Sequence, residues 1–160
     1  MDLTDLRAAA SIVIDARAET LYAFVADMPK VGEISPVCTG GGWESASRGA
    51  GATFIGSNTV GERTWRARMR VVVADPPSQF AWENIGDPSR PVPDEIVPAA
   101  RWAYTFTPVA GGTTVDETWQ MLLSADRLEA IGEERLRSLP AMNQSGMEQT
   151  LSKLKALIEG

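Results

Sequence analysis

The chain has 160 residues, of which 44% are hydrophobic and 22% charged, a balance typical of a single globular domain with its own core. Its net charge is −6, which argues against a nucleic-acid partner because a duplex binder needs a cationic face. There is no histidine and one cysteine, Cys38, which excludes an internal disulfide, histidine-dependent nucleophiles and histidine-based zinc sites. We therefore expect one domain over residues 1–160, without a metal or a cofactor.

The first part of the chain predicts a strand followed by two short helices. A β-rich run over Ala9–Ile14 is the first strand, and the apolar spacing of Glu19–Ala26 predicts an amphipathic helix. Pro29 ends this helix because proline lacks an amide proton and clashes with the preceding turn. A second short helix is predicted over Lys30–Ile34.

From Thr39 onward the hydrophobic residues alternate with a period of two, as in strands, and turn residues separate the runs. The predicted strands are Gly42–Ser45, Ala52–Val60, Thr64–Ala74, Gln79–Ile85, Arg101–Pro108 and Thr113–Leu123. With the first strand they predict a seven-stranded antiparallel sheet, since most connections are short. The Gly86–Ala99 connection contains four prolines and is either a lid or a surface loop of no consequence.

The last segment, Ser124–Gly160, is predicted to be helical, with an interruption at Pro140. Its second half carries an apolar stripe at i, i+4, i+7 and i+11, which indicates a helix packed against the sheet. The stripe consists of Met147, Leu151, Leu154 and Ile158. A long sheet covered by one large helix tends to leave a cavity between the two.

Several segments together indicate a family. They are Ala18–Asp27 in the first helix, Gly51–Asn58, Trp65, Pro76–Trp82, Trp102–Tyr104 and Gly111–Thr118. With these segments the chain resembles, from Ala9 to Ile158, the START-like, helix-grip superfamily of the birch-pollen-type allergens, and most of all its bacterial polyketide cyclase/dehydrase-like branch. The resemblance implies an α+β helix-grip fold: a seven-stranded antiparallel sheet curved around a long C-terminal helix, with an internal hydrophobic cavity. Some enzymatic relatives place a histidine in the cavity, and this chain has none.

Alternation along the strands predicts which side chains face the cavity. The predicted ligand-binding set is Phe54, Asn58, Trp65, Met69, Trp82, Asn84, Trp102, Tyr104, Glu117, Trp119 and Met142. The same aromatic face is also open to interpretation as an ordinary core. Arg66, Arg68 and Arg70 fall on the opposite face, which predicts a solvated row because unpaired arginines are rarely buried.

Glu117 and Tyr104 are the candidate catalytic residues. Glu117 lies between Val115 and Trp119 on an apolar face, where a carboxylate must be hydrogen-bonded, paired or protonated. It is either a ligand-anchoring or acid–base carboxyl with a raised pKa, or a structural buried acid. Tyr104 is either a polar handle or a core aromatic, and Asn58 either polarises a ligand carbonyl or stabilises a hairpin end.

Two functions follow. The favoured one is binding of a small hydrophobic or aromatic molecule (a lipid, isoprenoid or polyketide-like compound) between the sheet and the C-terminal helix. The alternative is a polyketide aromatase/cyclase/dehydrase that acts by positioning, with Glu117 and Tyr104 as acid and base. A chaperone-cofactor type of interaction module is disfavoured, because the exposed faces carry no concentrated patch.

The remaining expectations concern partners and location. We expect a small hydrophobic molecule as the partner, no nucleic acid, no membrane insertion, and a monomer or homodimer. The acidic start of the chain differs from a signal peptide and no stretch approaches the length of a membrane span, so the expected location is cytoplasmic.

Overall fold

Seven strands form one antiparallel sheet in the computed structural model, which describes residues 6–160. The strands are β1 (Arg7–Ile14), β2 (Cys38–Trp43), β3 (Thr53–Val60), β4 (Arg63–Asp75), β5 (Gln79–Gly86), β6 (Ala100–Val109) and β7 (Gly112–Met121). They lie in the order β1-β7-β6-β5-β4-β3-β2. The predicted helix-grip fold is therefore confirmed; the first five residues of the acidic start lie outside the described residues.

The helices lie on one face of this sheet, which we call the inner face. They are α1 (Ala18–Ala26), a 3-10 helix (Met28–Glu33), α2 (Ala125–Glu129) and α3 (Glu133–Glu159). Tyr22 of α1 packs edge-on against Phe80 and Phe106, each with ring centroids 5.9 Å apart. No helix among residues 6–160 is long and apolar enough to cross a membrane.

The predicted interruption at Pro140 is wrong, because α3 runs through it for 27 residues. A proline inside a helix removes one amide donor and strains the preceding turn. Three residues of the predicted stripe, Met147, Leu151 and Leu154, are at most 1% exposed. The packing of this stripe supports the helix after the proline.

A β-bulge in β4 changes which residues face inward. Val71 pairs with Trp82 and Val73 pairs with Ala81, so the register shifts by one residue between them. Because side chains alternate along a strand, such a bulge moves the following residues to the other face. Met69 and Val71 face inward before the bulge, and Ala74, paired with inner-face Phe80, faces inward after it.

The outer face differs from the prediction of a solvated arginine row. Arg66 is exposed, but Arg68 is only 9% exposed. The Arg68 Nε and Nη2 atoms donate to the two carboxylate oxygens of Glu44 at 2.7 and 3.1 Å, and its Nη1 donates to the Arg90 carbonyl at 2.9 Å. The arginine is buried because a carboxylate and the loop between β5 and β6 satisfy its donors.

This contact gives a test of stability. We expect Arg68→Gln to lower the free energy of unfolding by about 1–3 kcal/mol, between the values for exposed and fully buried ion pairs. The substitution leaves Glu44 without its partner and releases the loop carbonyl. Urea unfolding measures the change.

The matched control is Arg66→Gln, which removes the same charge from an exposed position on the same face. We expect it to change the free energy of unfolding by less than about 0.5 kcal/mol. Equal losses in the two variants would contradict a structural role for the Arg68 contact.

Candidate functional site

A pocket of about 390 Å³ lies between the sheet and the first half of α3. One wall consists of the ends of β5 and β7 and the start of β6. The other wall consists of α3 and the residues that precede it. The lining residues are Asn84, Ala99, Ala100, Trp102, Trp119, Met121, Leu123, Ile131, Arg135, Leu139 and Asn143. The volume falls within the range of about 300–1,000 Å³ typical of small-molecule sites.

The strand wall is built from two cross-strand rows. Trp102 pairs with Trp119, and their ring centroids are 6.4 Å apart at an interplanar angle of 50°. In the next row Ala100 pairs with Met121 and with Asn84. Paired residues of adjacent strands share a face, so the register alone brings these side chains together.

The helix wall follows from a spacing of four residues. Arg135, Leu139 and Asn143 of α3 recur at this interval and line the pocket, and Ile131 in the turn before α3 continues the lining. Residues four apart lie one above the other on a helix. Met147 and Leu151 follow Asn143 at four and eight residues. The residues that face the pocket therefore continue along α3 into the apolar stripe that packs in the core.

Glu117 and Tyr104 lie one cross-strand row deeper than the tryptophans. The two residues pair directly across β6 and β7. Glu117 is 4% exposed and Tyr104 1% exposed, and neither lines the pocket. Trp82 and Phe106 stack against Tyr104 with ring centroids 5.8 and 6.1 Å away. The tryptophan row thus separates this polar pair from the pocket.

The Glu117 carboxyl is mostly protonated at pH 7. Burial raises its pKa to about 8, although the hydrogen bond from the Tyr104 hydroxyl lowers it. Its Oε2 atom is buried and has no hydrogen-bond partner among the described residues. Burial, and then the proximity of Glu117, hold the pKa of Tyr104 well above its usual value. At pH 7 the protonated form of the pair therefore predominates, and it can donate a proton.

The other residues of the predicted binding set lie in three environments. Asn84, Trp102 and Trp119 line the pocket. Phe54 and Trp82 are buried in the core, and Met69 packs against it. Asn58 and Trp65 pair with each other near the β3–β4 hairpin end, where the Arg63 guanidinium lies 4.9 Å from the centre of the Trp65 ring.

Met142 is the clearest departure from the predicted lining. It is 56% exposed and does not contact the pocket. Met142 lies five positions before Met147, so its side chain points about 140° away from that buried residue of the core. Cys38 is half-buried, and burial raises the pKa of its thiol, as expected of an unreactive cysteine.

Sequence reasoning missed the helix wall entirely. The predicted set included no residue of Ile131, Arg135, Leu139 and Asn143. The signal was available, because extending the Met147–Leu151 spacing backwards by fours reaches all four positions. Because Arg135 and Asn143 are polar, a search for apolar residues at this spacing does not find them.

The loop between β5 and β6 contacts both the outer face and the pocket. Its Arg90 carbonyl accepts from Arg68 on the outer face, whereas Ala99 at its end lines the pocket. The Ala99 amide donates to the Asn84 carbonyl at 2.8 Å. No group of three or more acidic, cysteine or histidine residues in the described chain is placed to hold a metal ion.

Comparison with known proteins places this geometry in a family. The family described as "Polyketide cyclase / dehydrase and lipid transport" matches residues 5–159. No match was found among curated proteins.

Solved structures share the fold. The solution NMR structure of the Polyketide_cyc-like protein Cgl2372 from Corynebacterium glutamicum is 29% identical, with a TM-score of 0.66 over 96% of this chain and 91% of that one. StfQ, a di-domain ARO/CYC from the steffimycin biosynthetic pathway, is 15% identical, with a TM-score of 0.73 over 94% of this chain and 49% of its own. This chain therefore spans about half of StfQ. The allergen Ara h 8.0201 is 9% identical, with a TM-score of 0.65 over 96% of this chain and 98% of its own.

The buried carboxyl predicts a particular pH dependence of stability. Between about pH 5 and about pH 8 the unfolded chain has an ionised Glu117 while the folded chain keeps its proton, so the folded state binds more protons and loses stability as the pH rises. The contribution of this one group is about −1.4 kcal/mol per pH unit in that window. Below the window both states are protonated and the group contributes no slope.

Glu117→Gln removes this titration while keeping the shape of the side chain. We expect urea unfolding at several pH values to show that the variant gains stability relative to the parent as the pH rises from about 5 to about 8. A constant difference between the two proteins over this range would contradict a protonated Glu117.

Proposed function

The chain belongs to the polyketide cyclase/dehydrase and lipid transport family, and from this premise we propose that it binds a small hydrophobic or aromatic molecule in the pocket between the sheet and α3. The observation that carries the proposal is the lining, in which eight of eleven residues are apolar. Apolar walls with a few polar groups are typical of small-molecule sites.

The two tryptophans suit a ligand with an aromatic or flat apolar body. Trp102 lies partly exposed in the wall and Trp119 is 3% exposed. Aromatic rings gain from offset stacking or edge contacts with ring centroids about 4.5–7 Å apart, beyond the gain from buried area. Leu123, Ile131 and Leu139 supply an aliphatic surface on the other side.

Filling the pocket tests the proposal. We expect Leu139→Trp to weaken binding of the neutral fluorophore N-phenyl-1-naphthylamine by about tenfold or more, a loss of about 1.4 kcal/mol per factor of ten. The larger ring occupies the space that the ligand needs. The fluorescence increase of the bound probe, titrated against protein, gives the dissociation constant.

Met142→Trp is the matched control, because it adds the same ring to the same helix at an exposed position. We expect it to leave the dissociation constant within about twofold of the parent. Parent protein that does not bind the probe, or equal affinity in all three proteins, would refute binding in this pocket. Native mass spectrometry of freshly purified protein then identifies the class of any co-purifying molecule.

A polyketide cyclase/dehydrase activity is the second candidate. One feature favours it: the raised pKa keeps Glu117 mostly protonated at pH 7, its Oε2 has no partner among residues 6–160, and it accepts a hydrogen bond from the Tyr104 hydroxyl. A neutral carboxyl beside a phenol is a proton donor suited to dehydration. The relative StfQ is an ARO/CYC protein. Against it, the pair lies behind the tryptophan row, so a substrate must pass between Trp102 and Trp119 to reach it.

Variants of the pair separate the two functions. If the pair is catalytic, Glu117→Gln and Tyr104→Phe should lower turnover of a poly-β-keto substrate by about 10²–10⁴-fold, with probe affinity within about twofold of the parent. A binding protein shows no turnover in the parent and the same probe affinity in the variants. Parent-level turnover in both variants would contradict catalysis by this pair.

A further inference from the structure

The pocket lining contains one charged residue, and its charge is positive. Arg135 is the only ionisable side chain among the eleven lining residues, although the whole chain has a net charge of −6. An acidic protein that presents a lone cation at an apolar pocket disfavours a cationic ligand there and favours an anionic one.

The Arg135 guanidinium is available to a ligand. Among residues 6–160, no acidic side chain forms an ion pair with it. The nearby Glu133 is bound to Arg137 instead, and Glu134 is exposed and outside the lining. By contrast, Arg68 and Arg101 are each paired with a carboxylate on the outer face.

The two asparagines of the lining add hydrogen-bond donors. The Asn84 Oδ1 atom accepts from the Gly86 amide at 3.0 Å, which leaves the Nδ2 hydrogens of Asn84 free to donate. Asn143 lies eight residues after Arg135 on the same stripe of α3 and lines the same pocket. The polar part of the lining therefore offers a guanidinium and two amides and contains no carboxylate.

We infer that the ligand is an amphipathic anion, with an apolar ring or chain against Trp102 and Trp119 and a carboxylate paired with Arg135. This inference rests on the proposed function and names the class of molecule that the same pocket takes. A guanidinium binds a carboxylate through two parallel hydrogen bonds, which a primary amide of the same shape cannot reproduce. The apolar wall supplies affinity, and the arginine supplies the preference for an acid.

The experiment compares 2-naphthoate with 2-naphthamide by isothermal titration calorimetry. The two probes have the same ring and nearly the same size and differ in charge. We expect the parent protein to bind the acid about three- to tenfold more tightly than the amide, a modest preference because Arg135 is exposed to solvent. The preference should shrink between about 20 mM and about 500 mM sodium chloride, because salt screens an exposed charge.

Arg135→Gln should abolish the preference, so that the affinities for 2-naphthoate and 2-naphthamide agree within about twofold. Arg66→Gln, which removes the same charge from the exposed outer face, should keep the preference.

Three results overturn the inference in distinguishable ways. Equal affinity of the parent for acid and amide refutes the anion preference, and a preference that survives in Arg135→Gln assigns it to other residues; the pocket stands in both cases. Failure of both probes to bind, together with failure of N-phenyl-1-naphthylamine, refutes the proposed function and the inference with it.

Discussion

The register between β6 and β7 determines both the pocket wall and the buried acid. It pairs Trp102 with Trp119 and Tyr104 with Glu117, and a shift of β7 by one residue would turn Trp119 and Glu117 to the other face. The two-residue turn of Ala110 and Gly111, followed by Gly112 at the start of β7, sets this register. Gly112 has a φ of 143°, and a Cβ atom there would lie 2.1 Å from the Ile14 carbonyl oxygen of β1. Glycine is therefore required where the hairpin meets the first strand, and the site depends on a residue without a side chain.

Local patterns in the sequence were sufficient for most of the fold. Most strands and helices form near their predicted positions, because alternation and turn residues act within a few neighbours. However, β2 begins at Cys38, four residues before the predicted Gly42, and the helical break falls at residues 130–132 instead of at Pro140. The same alternation correctly assigned Glu117 to an apolar face, where it is buried. Two predictions were wrong because the structure there depends on contacts between residues far apart in the chain. The burial of Arg68 depends on Glu44 and on a loop carbonyl 22 residues away in the chain, and the passage of α3 through Pro140 depends on packing against the sheet.

The candidate site was less predictable than the fold, because a pocket is defined by the space between elements. Strand alternation identified Trp102, Trp119 and Asn84, whose positions the sheet alone determines. The phase of α3 relative to the sheet is a tertiary property. Because the sequence does not reveal this phase, it predicts Met142 in the lining and does not predict Arg135, the one charged residue of the lining.

The residues of α3 that face the sheet have different roles in the two halves of the helix. Its first half, from Arg135 to Asn143, borders the pocket, whereas its second half, from Met147 to Leu154, fills the core. Substitutions at Arg135 and Asn143 change the pocket wall without opening cavities in the core, where lost packing destabilises a domain, whereas Leu136 between them is itself a core residue. Selection, or an engineer, can therefore change ligand preference along one helix at little cost to folding. A scaffold with this division can diversify its ligands while the fold persists at low sequence identity.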